Sequence, residues 1–161
     1  MTAPDTLTTD TALEFIRDYP VALDRLWLAI TDPAQLVQWF GPEGVDLHEC
    51  SLDFTRTGPW HCDMVGRESG DHFIVSGQIT HVRPPNNGQG SVGLTWAWHD
   101  ANGQRTHESH VMFEVSETQD NRARLRLSHR DLPDMDAAQS HTKGWLSTLL
   151  CLDAFLATNP Q

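Results

Sequence analysis

The sequence predicts an α+β fold: a curved antiparallel sheet of about seven strands, covered on one face by helices. Three observations predict it. Two apolar helical stretches lie toward opposite ends of the chain, one around Leu23–Phe40 and one from about Asp134 to Thr158. The long interval between them alternates apolar and polar residues with period two. The length, 161 residues, suits one domain with a sizeable core.

The elements follow in order. Residues 1–9 are polar and read as a flexible tail, and residues 10–161 as the domain. A strand is expected from about Thr11 to Tyr19, ended by Pro20. Leu23, Leu26, Trp27 and Ile30 fall at i, i+3, i+4 and i+7 and make one helical stripe. A second short helix has Asp32 as N-cap, Pro33 at its first position and Gln35 placed for a capping box. Leu36, Trp39 and Phe40 form its apolar face, and Gly41-Pro42 stops it.

From Val45 to His129 six strands are expected. Trp60, Cys62 and Met64 share one parity, as do Phe73, Val75, Gly77 and Ile79. So do Val92, Leu94, Trp96 and Trp98, then Val111, Phe113 and Val115, then Leu125, Leu127 and His129. Asn86-Asn87-Gly88 and Asn102-Gly103 are hairpin signals, and Gln119-Asp120-Asn121 is a third turn. The last segment is a helix of about 24 residues, or about 36 Å. Ala138, His141, Trp145, Leu149 and Leu152 keep to one stripe, which only a sheet face can cover.

The formal net charge of −11 argues against nucleic acid and against anionic membranes as partners. The first residues lack the features of a signal peptide, and no apolar run approaches a membrane span. Cys50, Cys62 and Cys151 have no metal spacing and read as buried free thiols of a cytoplasmic protein.

Several segments carry a family resemblance. Val21–Trp27, closing on Leu26-Trp27, resembles the start of a family's first helix. Thr31-Asp32-Pro33 followed by Trp39-Phe40-Gly41-Pro42 is similar to its Thr-Asp-Pro…Trp-x-Gly-Pro segment. Asp53-Phe54 with Gly58-Pro59-Trp60 resembles its Asp-x-x-x-Gly-Gly-x-Trp turn, although Thr57 stands where the first glycine is usual. Pro84-Pro85, Leu94-Thr95-Trp96 and His141…Gly144-Trp145 complete the set. Together, over about Thr11 to Leu156, they resemble the SRPBCC (START-like) proteins of the heat-shock-protein-90 ATPase activator type, C-terminal-domain-like. The resemblance implies the helix-grip fold, in which the sheet grips the long helix and often leaves a cavity.

Candidates for lining such a cavity are Trp39, Trp60, Met64, Trp96, Trp98, Ser109, Val111, Phe113, His129, His141, Trp145 and Leu149. His141 lies on the buried stripe and His129 closes an inward strand parity, so either offers a hydrogen bond or a proton near neutral pH. No catalytic residue, metal or cofactor is assigned. His107 and His110 lack zincin spacing, and on a strand they face opposite sides; His61 and Asp63 share a face without an evident third ligand. Three functions follow. The first is non-catalytic binding of a small hydrophobic or amphipathic ligand. The second is a cyclase or dehydratase using cavity polar groups. The third is a chaperone partner that stimulates an ATPase through its surface, a role the resemblance names. A monomer and a homodimer are both compatible with the chain.

Overall fold

The structure is a computed structural model that describes residues 5–9 and 12–158. In chain order the elements are β1 (Asp5–Thr9), β2 (Ala12–Tyr19), α1 (Leu23–Thr31), α2 (Pro33–Leu36), β3 (Val45–Leu47), β4 (Gly58–Gly66), β5 (His72–Asn86), β6 (Gln89–Trp98), β7 (Ser109–Thr118), β8 (Arg122–Arg130) and α3 (Met135–Thr158). One sheet runs β1-β2-β8-β7-β6-β5-β4-β3, and every neighbouring pair is antiparallel. This is the helix-grip arrangement. The seven expected strands are β2 to β8. Residues 5–9, read from the sequence as part of a tail, form an eighth strand paired with β2; the rest of that tail lies outside the described residues.

The inward parity is as the alternation predicts. Trp60, Cys62 and Met64 on β4, Val92, Leu94 and Trp96 on β6, Val111, Phe113 and Val115 on β7, and Leu125, Leu127 and His129 on β8 are all buried. Against this face α3 lays Ala138, Trp145, Leu149, Leu152 and Leu156. The Asp134 carboxylate starts that helix by accepting the Ala137 N–H at 2.8 Å. The outward face of β8 is charged. Arg124 donates to Asp18 at 2.6 and 3.1 Å, and Arg126 Nε to Glu14 at 2.6 Å. The Arg124–Asp18 pair is exposed, whereas Arg126 covers a Glu14 that is itself buried.

Three local readings change. The second helix is a single turn, because the chain bends at once to bury Trp39 and Phe40. Its Gln35 does not close a capping box, since the Asp32 N–H is already bonded to the Leu28 carbonyl as the last turn of α1. Gln35 instead donates to the Asp32 carboxylate at 3.2 Å and accepts from Arg25 at 2.6 Å. Secondly, Cys50 and Cys62 are not free thiols but a disulfide. Ser51 bridges His61 in an antiparallel pair, which sets Cys50, in the irregular segment after β3, directly across from Cys62 on β4. The spacing of 12 residues gave no hint of it, and the argument for a reducing compartment falls with the free-thiol reading. Cys151 alone is free. Thirdly, His107 precedes β7 rather than lying in it, so it and His110 meet at one residue. His107 reaches the Asp131 carbonyl at 2.6 Å and His110 the Asp131 carboxylate at 2.8 Å.

The turns are as their sequences demand. Asn87 and Gly88 both take positive φ, 55° and 79°, as a two-residue β5–β6 hairpin requires. No described helix is long and apolar enough to cross a membrane.

Candidate ligand pocket

Between the inner face of the sheet and the first half of α3 lies a pocket of about 360 Å³. Its volume is within the range of small-molecule sites. Six segments build it. The chain after α2 brings Phe40, Gly41 and Pro42, and a bond from the Glu43 N–H to Ser147 Oγ at 2.8 Å fastens that loop to α3. Gly41 turns with φ 94°, a backbone state that excludes most side chains. Edge strand β3 contributes Val45, β4 contributes Met64, and β5 contributes Phe73 at the mouth, 47% exposed. Strand β6 contributes Trp96 and Trp98. Helix α3 supplies Ser140, His141, Gly144, Trp145 and Thr148.

Of the twelve residues proposed from the sequence, five line this pocket: Met64, Trp96, Trp98, His141 and Trp145. Trp39, Trp60, Val111, Phe113 and Leu149 are packed in the core away from it. The indole of Trp39 donates to the Ala29 carbonyl and that of Trp60 to the Thr95 carbonyl. Ser109 and His129 stand one layer behind the wall. The loop residues Phe40, Gly41 and Pro42, edge Val45, and Ser140, Gly144 and Thr148 were not assigned to the cavity from the sequence. Phe73 was placed by parity without being assigned to a site. The Gly41-Pro42 signal marks where the wall begins, but only the tertiary fold turns it inward.

The two histidines have defined roles. His141 donates from Nδ1 to the Ala137 carbonyl at 2.9 Å and accepts the Trp98 indole N–H on Nε2, also at 2.9 Å. His129 accepts the Trp145 indole N–H on Nδ1 at 3.0 Å, and its Nε2–H faces Ser109 Oγ at 2.7 Å. Ser109 passes its own proton toward the Trp96 carbonyl at 3.2 Å. Each ring therefore carries one proton, and both nitrogens of each are occupied. The rings meet edge to face with centroids 4.5 Å apart. Burial holds His129 well below the ordinary imidazole range, and the nearby His141 and His110 add to the effect. Burial also lowers His141, partly opposed by its bond to Ala137. Neither histidine meets a carboxylate. Among the described residues no group of three His, Cys, Asp or Glu is placed to hold a metal. Asp63 faces His72 at 2.8 Å and, at 3.9 Å, His48.

These lowered histidines make stability depend on pH in one direction. Below about pH 6.5 the unfolded chain takes up protons that the native rings refuse. Stability is therefore full above that value and falls as the pH drops, by at most about 1.4 kcal/mol per pH unit for each ring. Urea unfolding at pH 7.5 and 5.5 should give the lower free energy at 5.5, and His141→Gln should reduce the difference. Equal values for the two proteins would remove His141 from this account.

Comparison with known proteins agrees with this geometry. The sequence model of a family described as "Activator of Hsp90 ATPase homolog 1-like protein" matches residues 20–157. The AHSA1 protein from Silicibacter pomeroyi is 45% identical, with a TM-score of 0.85 over 92% of this chain and 99% of that one. A protein from Rhodobacter sphaeroides shares the fold at 20% identity, with a TM-score of 0.74 over 95% of this chain and 97% of its own. One from Arthrobacter aurescens does so at 19% identity, with a TM-score of 0.77 over 96% of this chain and 90% of its own. No curated protein matches the chain.

Proposed function

This chain belongs to the Activator of Hsp90 ATPase homolog 1-like family, and from that premise and the pocket we propose that it binds a small, largely apolar molecule without transforming it. The observation that carries the reading is Gly144. A glycine in the middle of a long helix costs about 0.5–1 kcal/mol relative to alanine. Here it lines the pocket, and a Cβ added to it would meet nothing within 4 Å. The missing side chain is open volume, where a packed core would have filled it.

A cyclase or dehydratase needs a group free to give or take a proton at the substrate. Both nitrogens of His141 are engaged, and no carboxylate lines the wall. Binding is therefore favoured over catalysis. A chaperone partner rests on the family's description alone.

The test is paired substitution at Gly144. Gly144→Ala should stabilise the fold by about 0.5–1 kcal/mol in urea unfolding. Gly144→Leu should fill the pocket and weaken binding of Nile red, an uncharged apolar dye, by more than ten-fold. Nile red should raise the melting temperature of the wild type by mass action. No dye binding by the wild type, or binding undiminished in Gly144→Leu, would exclude this pocket as the site.

A further inference from the structure

We infer that the pocket is proton-linked: it holds its occupant while His141 is uncharged, and a proton taken up on His141 Nε2 weakens that hold. The inference rests on the ligand-binding reading above and adds a control to that site.

His141 keeps its place in the wall only as a neutral ring. A carbonyl accepts hydrogen bonds and never donates, so the Nδ1 that faces the Ala137 carbonyl at 2.9 Å carries the ring proton. An indole N–H donates and never accepts, so the Nε2 that meets Trp98 Nε1 at 2.9 Å is the bare nitrogen. A proton on Nε2 would set N–H against N–H. No hydroxyl or amide stands in this chain of bonds to turn over and absorb the change. The indole also presents its N–H edge, the positive edge of the ring, to the imidazole. On protonation the two side chains must part, and both line the pocket.

The surroundings offer an imidazolium no counter-charge. From β8, His129 meets the ring with centroids 4.5 Å apart, and both of its nitrogens are engaged. Trp96 and Trp98 come from β6 and do not titrate. His110, on β7, is tied to the Asp131 carboxylate and acts on His129. On α3 itself Asp136 and Lys143 are exposed. No Asp, Glu, Lys or Arg lines the pocket. A charge placed there is paid for neither by a partner nor by full hydration.

His141 is half-buried, and that burial already lowers its affinity for a proton. An apolar occupant removes more water from the ring and makes charging it costlier still. Proton and ligand therefore oppose each other, and by linkage each weakens the other by the same factor. Affinity is full above the titration range of His141 in the free protein and falls as the pH drops through it. His129 lies behind the wall, wholly buried, and is not the group that the ligand meets.

Nile red tests the coupling. Its Kd is measured by fluorescence titration at pH 7.5 and 5.0, at constant ionic strength, on protein shown by circular dichroism to be folded at both. An imidazole of ordinary pKa would give at most about a thirty-fold loss of affinity over that interval. With its proton affinity already lowered, His141 should give a loss of about three- to ten-fold. The side-chain oxygen of His141→Gln can accept the Trp98 N–H but takes up no proton, so its two Kd values should agree within about two-fold. A second measurement needs no variant. The titration midpoint of the His141 ring resonances in the wild type should move to lower pH when one equivalent of dye is added.

Equal wild-type affinities at the two pH values, a pH dependence that survives in a folded His141→Gln, or a His141 midpoint unmoved by the dye would overturn the proton linkage while leaving the pocket as a binding site. No dye binding at either pH, or binding indifferent to Gly144→Leu, would overturn the binding reading as well.

Discussion

Trp145→Ala is expected to lower the unfolding free energy by about 3–5 kcal/mol, the range for removing a large buried aromatic. Trp145 is 5% exposed and locks α3 to the sheet. Its ring lies 5.4 Å from Trp96, 6.1 Å from Phe113 and 6.0 Å from His129. Its loss also strips His129 Nδ1 of its donor in a buried place. Trp145→Phe separates the two contributions. It keeps a ring and loses the hydrogen bond, so it should cost about 1–3 kcal/mol. Urea unfolding monitored by far-ultraviolet circular dichroism measures both. A loss below 1 kcal/mol for the alanine variant would mean that α3 is held by something other than this contact.

Gly77→Ala should be damaging for the opposite reason, too much matter rather than too little. Gly77 pairs with Trp60 on β4. Having no side chain, it leaves a passage through which the Trp60 indole reaches the Thr95 carbonyl of β6 at 3.0 Å. A Cβ there would lie 2.0 Å from that carbonyl oxygen. The obstacle is backbone of the neighbouring strand, so no rotamer relieves it. Overpacking of this kind costs about 3 kcal/mol or more, as the sheet must part or the Trp60 bond must break. For a chain of this size that corresponds to a fall of about 6–12 °C in Tm. Gly144→Ala, where the added carbon meets open space, is the control. Similar melting temperatures for the two variants would contradict the geometry at Gly77.

Period-two alternation showed which parity of each strand faces inward, because one side is solvated and the other is not. Trp60, Trp96 and Phe113 are buried as that pattern requires. The α3 stripe through Ala138, Trp145, Leu149 and Leu152 was legible for the same reason at helical period. What was not legible is depth along the inward face. Trp60 and Trp96 look alike in sequence, yet only Trp96 borders the pocket. The difference arises from where α3 crosses the sheet, which no local pattern encodes. The pocket's other wall, Phe40–Pro42, depends on a contact between Glu43 and Ser147, far apart in the chain. The Cys50–Cys62 bond likewise depends on the register of an irregular segment. β1 was missed because a short polar strand lacks the alternation that a half-covered strand shows.

The pairing of β2 with β8 sets a timetable for making this protein. Glu14 and Arg126, ion-paired across those strands, are 112 residues apart in sequence. Loop closure over that length opposes early pairing, and sheets built this way fold slowly. On the ribosome β2 emerges well before β8, a partner that is synthesised about a hundred residues later. Through that interval its apolar residues Leu13 and Phe15 have no β8 beside them and no α3 to cover them. His129 and His141 emerge at that same late stage. The pocket and the full sheet are thus completed together, once β8 and α3 have been translated. The nascent chain is most vulnerable to aggregation just before that moment.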